Sequence, residues 1–382
     1  MEETNNRLYE ELQEQLSIKP DTVEQQEEKE KKVVELVSQM SVEDLRKALG
    51  GTKCSAIINQ KGGVSKTVCT SNLAYVLAKR GFRVLACDED SQSSLTGLCN
   101  VLPNEYKSDV DDRILGLQDI YEAYTEKQGK IDFDEDIKKC IIRPQYTELV
   151  RVEKGKGKYD LVEEKKEFGF DLIPSDIELS GYDIKLAKSG TGGFALYYIV
   201  EEIKKARTTD ENGQEVPAED FIFIDCPPAL TMLAYNGIGA SVDGCIIPLN
   251  LEVMTLRGSR NVIDAVIEIQ ELFKNANKVH KGILGMIKSQ YVKRSRIQRG
   301  FEDVVKDFFP VRAFNTVIPN LAACDKAHAR GMLFAQFDPK AFEAFDNLAN
   351  EIIAAYLIRS REDGTIITEQ IDKEVGKKFY NN

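Results

Sequence analysis

The stretch CSAIINQKGGVSKTVCTSNLAYVLAKR, residues 54–80, decides the fold. Its first six residues form an apolar run that predicts a buried strand, and the pattern from Thr67 onward predicts a helix that ends at Gly81. Two glycines and a Lys-Thr pair lie between these elements. Because glycines let backbone amides turn inward and a helix N-terminus attracts anions, the unit predicts a phosphate-binding loop.

Each residue type in this loop suits one task. Lys66 is expected to reach the β- and γ-phosphates of a nucleotide, and the Thr67 hydroxyl is expected to bind Mg²⁺. The strict G-x-x-x-x-G-K-[ST] pattern is not matched, because Gln60 and Ser65 stand at its glycine positions. The predicted nucleotide-binding loop residues are Lys61, Gly62, Gly63, Val64, Ser65, Lys66, Thr67 and Val68.

Further apolar runs follow along the chain: RVLAC, FDLIP, FIFID, GCIIPL, GILGMI and VRAFNTVI. They lack polar alternation and are separated by helical patterns, which predicts a doubly wound, mostly parallel α/β sheet with helices on both faces. Residues 104–168 interrupt this pattern with many charges. Within them, RVEKGKGKYDLVEEKKEF predicts a surface hairpin or a mobile insertion.

A helical extension is predicted over residues 1–50, which contain 13 acidic and 7 basic residues. Leucines recur every fourth position from Leu8 to Leu16, a second apolar face runs from Val33 to Met40, and a third helix starts at Ser41. The extension either packs on a neighbouring element or serves as a dimerisation or DNA-contacting arm. The predicted division is 1–50, a main domain over 51–360, and a polar tail over 361–382.

Composition excludes several classes of protein. The net charge of −12 argues against nucleic-acid binding through bulk charge, and no apolar run reaches the roughly 18 residues of a membrane span. The acidic N-terminus lacks the apolar core of a signal peptide, so we expect a cytoplasmic protein. The eight cysteines form no C-x-x-C pair and there are two histidines, which favours buried free thiols over a zinc site.

Three stretches resemble one family. KGGVSKT resembles the deviant phosphate loop, usually KGGVGKT, of the ParA/MinD family of dimerising ATPases. RVLACDEDSQSSLT is similar to its second motif, D-x-D-P-Q-x-x-x-T, and DFIFIDCPPAL to its Walker B strand and switch. The resemblance covers roughly residues 53–358. It implies a P-loop NTPase fold and a Mg²⁺-dependent ATPase that uses ATP.

The resemblance also implies roles for single residues. Lys61 would cross to the nucleotide of a partner subunit, so that two ATP molecules are sandwiched in a homodimer. Asp90 would position or activate the attacking water. Asp88 and Asp225 would join Thr67 in holding Mg²⁺. The stretch TVIPNLAACDKAHARGMLFAQFDP resembles a later segment of the family, by which Ile318 and Pro319 would line the adenine pocket. Ser65 and Ser91 depart from the family's glycine and proline.

A basic run lies between Lys281 and Phe301, where there are six basic residues and no acidic one. It is either a solvated helix face or a patch that contacts duplex DNA without sequence preference. Family members often carry an arginine where this chain has Asn320, so Lys326 or Arg330 would substitute. The predicted DNA-binding residues are Lys288, Lys293, Arg294, Arg296 and Arg299.

These features favour a partition ATPase that associates with the nucleoid, binds nonspecific double-stranded DNA, and segregates a plasmid or chromosome with a ParB-like adaptor. One alternative is a MinD-like positioning ATPase on a membrane. That function needs a basic amphipathic anchor, and the near-neutral tail EDGTIITEQIDKEVGKKFYNN, residues 362–382, is a poor one, so no membrane partner is expected. The other is an ATP-locked DNA-binding scaffold or autorepressor that uses residues 1–50.

Overall fold

The computed structural model describes residues 2–107, 112–154, 159–189, 192–210, 213–250, 253–291, 313–319 and 322–361. Its strands are β1 (Lys53–Ile57), β2 (Val84–Asp88), β3 (Gln145–Glu153), β4 (Tyr159–Glu167), β5 (Asp171–Ile173), β6 (Arg207–Thr209), β7 (Glu215–Pro217), β8 (Phe221–Asp225), β9 (Cys245–Asn250), β10 (Ile283–Tyr291) and β11 (Ala313–Pro319). One sheet contains seven of them, in the order β11-β10-β9-β1-β8-β2-β5, and neighbouring strands in it are parallel.

The seven apolar runs singled out in the sequence are the seven strands of this sheet. β2 and β8 are buried along their whole length, which explains why they lack polar alternation. Along β8, Phe221 and Phe223 join one core layer, and Ile222 and Ile224 join the layer on the other face. The predicted doubly wound parallel fold is therefore confirmed.

Helices cover both faces of the sheet. The described helices are α1 (Glu2–Ser17), α2 (Val23–Gln39), α3 (Val42–Leu49), α4 (Lys66–Lys79), α5 (Ser94–Leu98), α6 (Leu117–Glu126), α7 (Tyr182–Lys188), α8 (Ala195–Lys205), α9 (Met232–Ala240), α10 (Val253–Asn275), α11 (Ala322–His328), α12 (Phe334–Phe337) and α13 (Pro339–Arg359). α4 and α13 contribute to one core layer, and α6, α8, α9 and α10 to the other. In the described part of the chain, no helix has the length and apolar character needed to cross a bilayer.

The three N-terminal helices pack against their own chain. Ser41 caps α3 by accepting a hydrogen bond from the Asp44 amide at 3.2 Å, and Gly50 ends the helix with a φ of 69°. α2 packs against α13, and the apolar faces of α1–α3 belong to the same core layer as α4 and α13. Arg46 donates a hydrogen bond to the Asp220 carboxylate at 2.9 Å, which ties α3 to the start of β8. The apolar faces of the N-terminal extension thus form part of the hydrophobic core of the main domain.

An antiparallel ribbon of β3 and β4 confirms the predicted surface hairpin. Its strands pair from Gln145↔Glu167 to Glu153↔Tyr159, and almost all of its side chains are exposed. The chain reaches it through Ile142, which forms an antiparallel bridge to Leu172 in the edge strand β5. A second small ribbon joins β6 and β7. The insertion therefore leaves the order of the main sheet undisturbed.

If α1–α3 belong to the core, removing a buried side chain from them should destabilise the whole domain. Leu12 and Leu45 are fully buried, so Leu12→Ala and Leu45→Ala should each lower the free energy of unfolding by about 2–5 kcal/mol. Ile18 is 44% exposed, so Ile18→Ala should change it by less than about 0.5 kcal/mol. Urea unfolding measures all three, and equal effects of Leu12→Ala and Ile18→Ala would contradict the packing.

Candidate functional site

The phosphate loop follows β1 and ends where α4 begins. Gly63 and Ser65 both adopt left-handed backbone conformations, with φ of 75° and 68°. Left-handed geometry costs an ordinary residue about 1–2 kcal/mol, which is the physical reason that glycine is usual at the position of Ser65. This chain keeps a serine there and holds the loop by other contacts.

Strand β10 clamps the loop from the side. Ser289 Oγ donates a hydrogen bond to the Val64 carbonyl at 3.0 Å. Gln290 Nε2 donates to the Gly63 carbonyl and to Ser65 Oγ, the latter at 3.2 Å. Gln290 is itself left-handed, with a φ of 54°, which aims its amide at the loop. The Ser65 hydroxyl thus accepts a hydrogen bond from Gln290, which a glycine could not do because it has no side chain.

The start of the loop is fixed by two amide side chains. Asn59 donates to the Pro248 carbonyl at 2.7 Å and accepts from the Lys61 amide at 3.0 Å. Gln60 accepts from Asn261 of α10 at 2.6 Å. The loop is therefore bound to β9, β10 and α10. These contacts come from residues about 190–230 positions away in the chain.

The register of the sheet brings two carboxylates beside the loop. Ile57 pairs with Asp225, and Asp225 pairs with Asp88, so β1, β8 and β2 end level. Both aspartates are at most 1% exposed. Parallel strands present their carboxyl ends at one edge, which is where ligands of such folds bind.

Burial dominates the electrostatics of these carboxyls. It raises the pKa of Asp225 to about 8, with Asp88 adding to the shift, while a hydrogen bond from Thr67 and the charge of Lys66 lower it. Burial also raises the pKa of Asp88 to about 6, opposed by hydrogen bonds from Thr96 and from the Asp90 amide. A divalent cation bound beside them would favour the charged form of both carboxyls and so lower these pKa values.

Asp88 and Asp90 have different surroundings. Asp88 Oδ2 accepts from the amide and the hydroxyl of Thr96 at 2.8 and 2.7 Å, so it organises the turn into α5. Asp90 is half-buried and accepts from the Gln92 amide at 3.0 Å, while its backbone carbonyl accepts from Ser175 Oγ at 2.8 Å. Asp90 is therefore the carboxylate with the more open side chain.

The two lysines of the loop also differ. Lys66 is 8% exposed, and burial lowers its pKa, whereas the nearby Asp225, Cys226 and Asp90 raise it. It lies inside the site, next to the carboxyl edge of the sheet. Lys61 lies before the glycines and is half-exposed. One lysine thus lies within the site and the other at its rim.

A cleft of about 830 Å³ opens beside the loop. This volume falls within the usual range for small-molecule sites. The predicted pocket residue Pro319 and its neighbour Ile318 lie on its wall. The full lining is Gly63, Ser65, Lys66, Thr67, Val68, Ser94, Gly97, Leu98, Gln290, Ile318, Pro319, Cys324, Asp325, His328 and Phe334. Gln290, Cys324, Asp325 and His328 also line the cleft and were not among the predicted site residues.

The side chains near the carboxyl edge fit a hard cation. Thr67, Asp88 and Asp225 offer oxygen atoms, which Mg²⁺ prefers over nitrogen or sulfur. Among the described residues, no group of three or more His, Cys, Asp or Glu side chains forms a ready metal cage. Mg²⁺ usually takes one or two carboxylates and keeps several waters, so the oxygen atoms of Thr67, Asp88 and Asp225 fit it.

The prediction that Lys288 binds DNA is wrong. Lys288 lies in β10 between β9 and β11 and is 1% exposed, because both faces of this interior strand are covered. It is held inside the domain and offers no surface to a duplex. The predicted Lys293, Arg294, Arg296 and Arg299 lie outside the described residues. The substitutes Lys326 and Arg330 are exposed, and the Arg330 guanidinium lies 4.9 Å from the Phe337 ring centroid.

Two curated relatives match most of the chain. The sporulation initiation inhibitor protein Soj of Bacillus subtilis is 28% identical over 304 residues, which cover 79% of this chain and 98% of Soj. The chromosome partitioning protein ParA of Caulobacter vibrioides is 25% identical over 301 residues, which cover 78% of this chain and 93% of ParA.

Two solved structures share the fold. McdA of Cyanothece without nucleotide has a TM-score of 0.57 at 21% identity, covering 78% of this chain and 99% of McdA. Cobyrinic acid a,c-diamide synthase of Mycobacterium smegmatis, with bound ADP and magnesium, has a TM-score of 0.54 at 22% identity, covering 78% and 92%. A family model described as an AAA domain (AAA_31) matches residues 52–279, more than half of the chain. The chain therefore belongs to this AAA domain family and is an ATPase of the ParA/MinD type.

Proposed function

We propose that this protein is a partition ATPase. It hydrolyses ATP to ADP and phosphate with Mg²⁺, binds duplex DNA as an ATP-dependent homodimer, and segregates DNA with a ParB-like adaptor that stimulates hydrolysis. The observation that carries the proposal is the position of the phosphate loop: its residues Lys66 and Thr67 line the cleft and also interact with Asp225, at the level carboxyl ends of β1, β8 and β2. The relative named as a chromosome partitioning protein supports the segregation role.

The loop residues account for nucleotide binding. The N-terminus of α4 offers amides to the phosphates, and Lys66 adds a positive charge inside the site. Thr67, Asp88 and Asp225 would hold Mg²⁺, which when bound neutralises charge on the β- and γ-phosphates. Pro319 and Ile318 form an apolar wall where the base would lie.

Hydrolysis requires a group that orients the attacking water. Asp90 suits this role because its side chain is more open than that of Asp88, and its charge contributes to the pKa of Lys66. The backbone of Asp90 is held on both sides of its side chain. Its amide donates to the Asp88 carboxylate, and its carbonyl accepts from Ser175 Oγ. A carboxylate held in this way can accept a proton from water at a defined position.

Dimerisation follows from the second lysine. Lys61 lies at the rim of the site, where its side chain can reach a nucleotide bound by a second copy. ATP would then lie between two subunits and supply contacts to both. Hydrolysis removes the γ-phosphate and weakens the dimer. This links the nucleotide state to the oligomeric state.

DNA binding is proposed for the basic run, with Lys293, Arg294, Arg296 and Arg299 as the phosphate contacts. A net charge of −12 repels a duplex, so a single subunit should bind poorly. Two copies of the run in a dimer would double the contacts. The protein would then lie on the nucleoid in the cytoplasm only in its ATP state.

Replacing each lysine separates the two roles. Lys66→Ala should weaken ATP binding by about 100-fold, because a charge-assisted contact to phosphate is lost. Lys61→Ala should bind ATP nearly as the wild type does but remain a monomer. Equilibrium binding and light scattering measure these properties, with Lys79→Ala in the last turn of α4 as the control. Equal loss of ATP affinity in both loop variants would rule out the role of Lys61 in trans.

Removing Asp90 should stop turnover without loss of binding. Asp90→Ala should lower the rate of ATP hydrolysis by at least about 100-fold, because the water loses its proton acceptor. The phosphate loop is unchanged, so the variant should persist as an ATP-bound dimer in size-exclusion chromatography. Glu122→Ala, at an exposed position of α6, serves as the control. Wild-type turnover in Asp90→Ala would exclude Asp90 from the mechanism.

Reversing two charges should abolish DNA binding. Arg294→Glu with Arg296→Glu should remove the ATP-dependent shift of a random duplex and leave basal hydrolysis intact. In the wild type, affinity should fall with salt at a log–log slope of roughly −7, because the dimer would present two copies of the four proposed phosphate contacts. The control carries the same charge change at Lys138 and Lys139, which are exposed. Binding that is equal with ADP, or that survives the double reversal, would contradict the assignment.

A further inference from the structure

A carboxyl group that the proposed mechanism does not use lies between the two motif aspartates. Glu89 is fully buried, although its neighbours Asp88 and Asp90 both belong to the site. Asp88 accepts a hydrogen bond from Thr96 of α5, on the α4 side of the sheet. Glu89 instead enters the core layer formed by α6, α8, α9 and α10. The loop after β2 therefore contacts the core layers on both faces of the sheet.

Glu89 has specific partners in that layer. Tyr121 Oη, on α6, donates a hydrogen bond to Glu89 Oε1 at 2.7 Å. The Cys226 thiol approaches Oε2 at 3.9 Å, and Cys226 directly follows Asp225. Tyr121 and Cys226 are both at most 1% exposed. Burying a carboxyl without such partners is costly, so these contacts define its position.

The space around this carboxyl is also defined. A Cβ on Gly237 of α9 would come within 2.5 Å of both Glu89 Oε2 and Cys226 Sγ, so only glycine leaves room there. The backbone amide of Glu89 donates to the Asp225 carbonyl at 2.9 Å. The Tyr121 ring is stacked on Tyr182, with centroids 5.9 Å apart. Glu89 is thus held by a backbone hydrogen bond to Asp225 and by the contacts of its carboxyl group with Tyr121 and Cys226.

We propose that Glu89 and Tyr121 form a positioning pair that holds Asp90 in place relative to Asp225. The side chain of Glu89 anchors the peptide between Asp88 and Asp90 into the core, and its amide ties that peptide to Asp225. The pair does not line the cleft, because neither Glu89 nor Tyr121 is among its wall residues. It therefore acts on the placement of the water-orienting carboxylate, and this inference rests on the proposed hydrolysis.

If the pair positions Asp90, its loss should lower the turnover rate and leave nucleotide affinity nearly unchanged. A displacement of the reacting groups by about 1 Å costs up to about 100-fold in rate, so losing the Tyr121 hydroxyl should lower kcat by about tenfold or more. Nucleotide affinity should change by less than about twofold, because β9, β10 and α10 clamp the phosphate loop independently. A purely structural pair would lower both together.

The variants are Tyr121→Phe, Glu89→Leu and Glu89→Gln. Tyr121→Phe and Glu89→Leu should lower kcat with ADP affinity retained. Glutamine keeps an oxygen that accepts from Tyr121, so Glu89→Gln should recover most of the activity that Glu89→Leu loses. Tyr182→Phe is the matched control, because it removes a hydroxyl from the ring stacked on Tyr121 without touching Glu89.

A second measurement needs no turnover. Amide hydrogen exchange over residues 88–93 should rise in Tyr121→Phe and stay at the wild-type level in Tyr182→Phe. If the wild type shows no ATP hydrolysis, the proposed function fails and this exchange experiment alone decides the positioning role. Wild-type kcat in Tyr121→Phe, a parallel loss of kcat and ADP affinity, or unchanged exchange over residues 88–93 would each overturn the inference.

Discussion

The level ending of β1, β8 and β2 is the constraint on which the site depends. The pairings of Ile57 with Asp225 and of Asp225 with Asp88 leave three chain segments at one height on the sheet edge. The phosphate loop, the Walker B carboxylate and the second motif all start there. A slip of one residue in any of these strands would turn its side chains to the other face and separate the groups. The packing of two core layers fixes that register.

The same edge is electrostatically unfavourable by itself. Burial raises the pKa of Asp225 and of Asp88, and each lies close to another acid. Lys66, the start of α4 and a hydrogen bond from Thr70 of α4 offset this at Asp225, and a hydrogen bond from Thr96 offsets it at Asp88. The domain thus keeps a pair of buried carboxyl groups beside a cationic loop. That arrangement is preorganised for a ligand that carries both phosphate and a divalent cation.

Local sequence patterns predicted most of the fold, because strands buried on both faces are uninterrupted apolar runs and turns carry glycine or proline. The site was predictable where one short motif contains all the groups, as at Lys66 and Thr67. Gln290 was not, because it reaches the loop from a strand more than 200 positions away. Lys288 was misassigned because a count of basic residues does not distinguish an interior strand from a surface. Glu89, flanked by two acids, gave no sign of its burial.

The packing of the N-terminal helices sets an order of events during synthesis. These helices are synthesised before α13, against which α2 packs. From Leu49 at the end of α3 to Pro339 at the start of α13, translation at about 5–20 residues per second takes roughly 15–60 s. During that interval Leu12 and Leu45 lack part of their final cover. The nascent chain therefore carries incompletely covered apolar helix faces throughout this interval, and chaperones that bind such faces have time to do so.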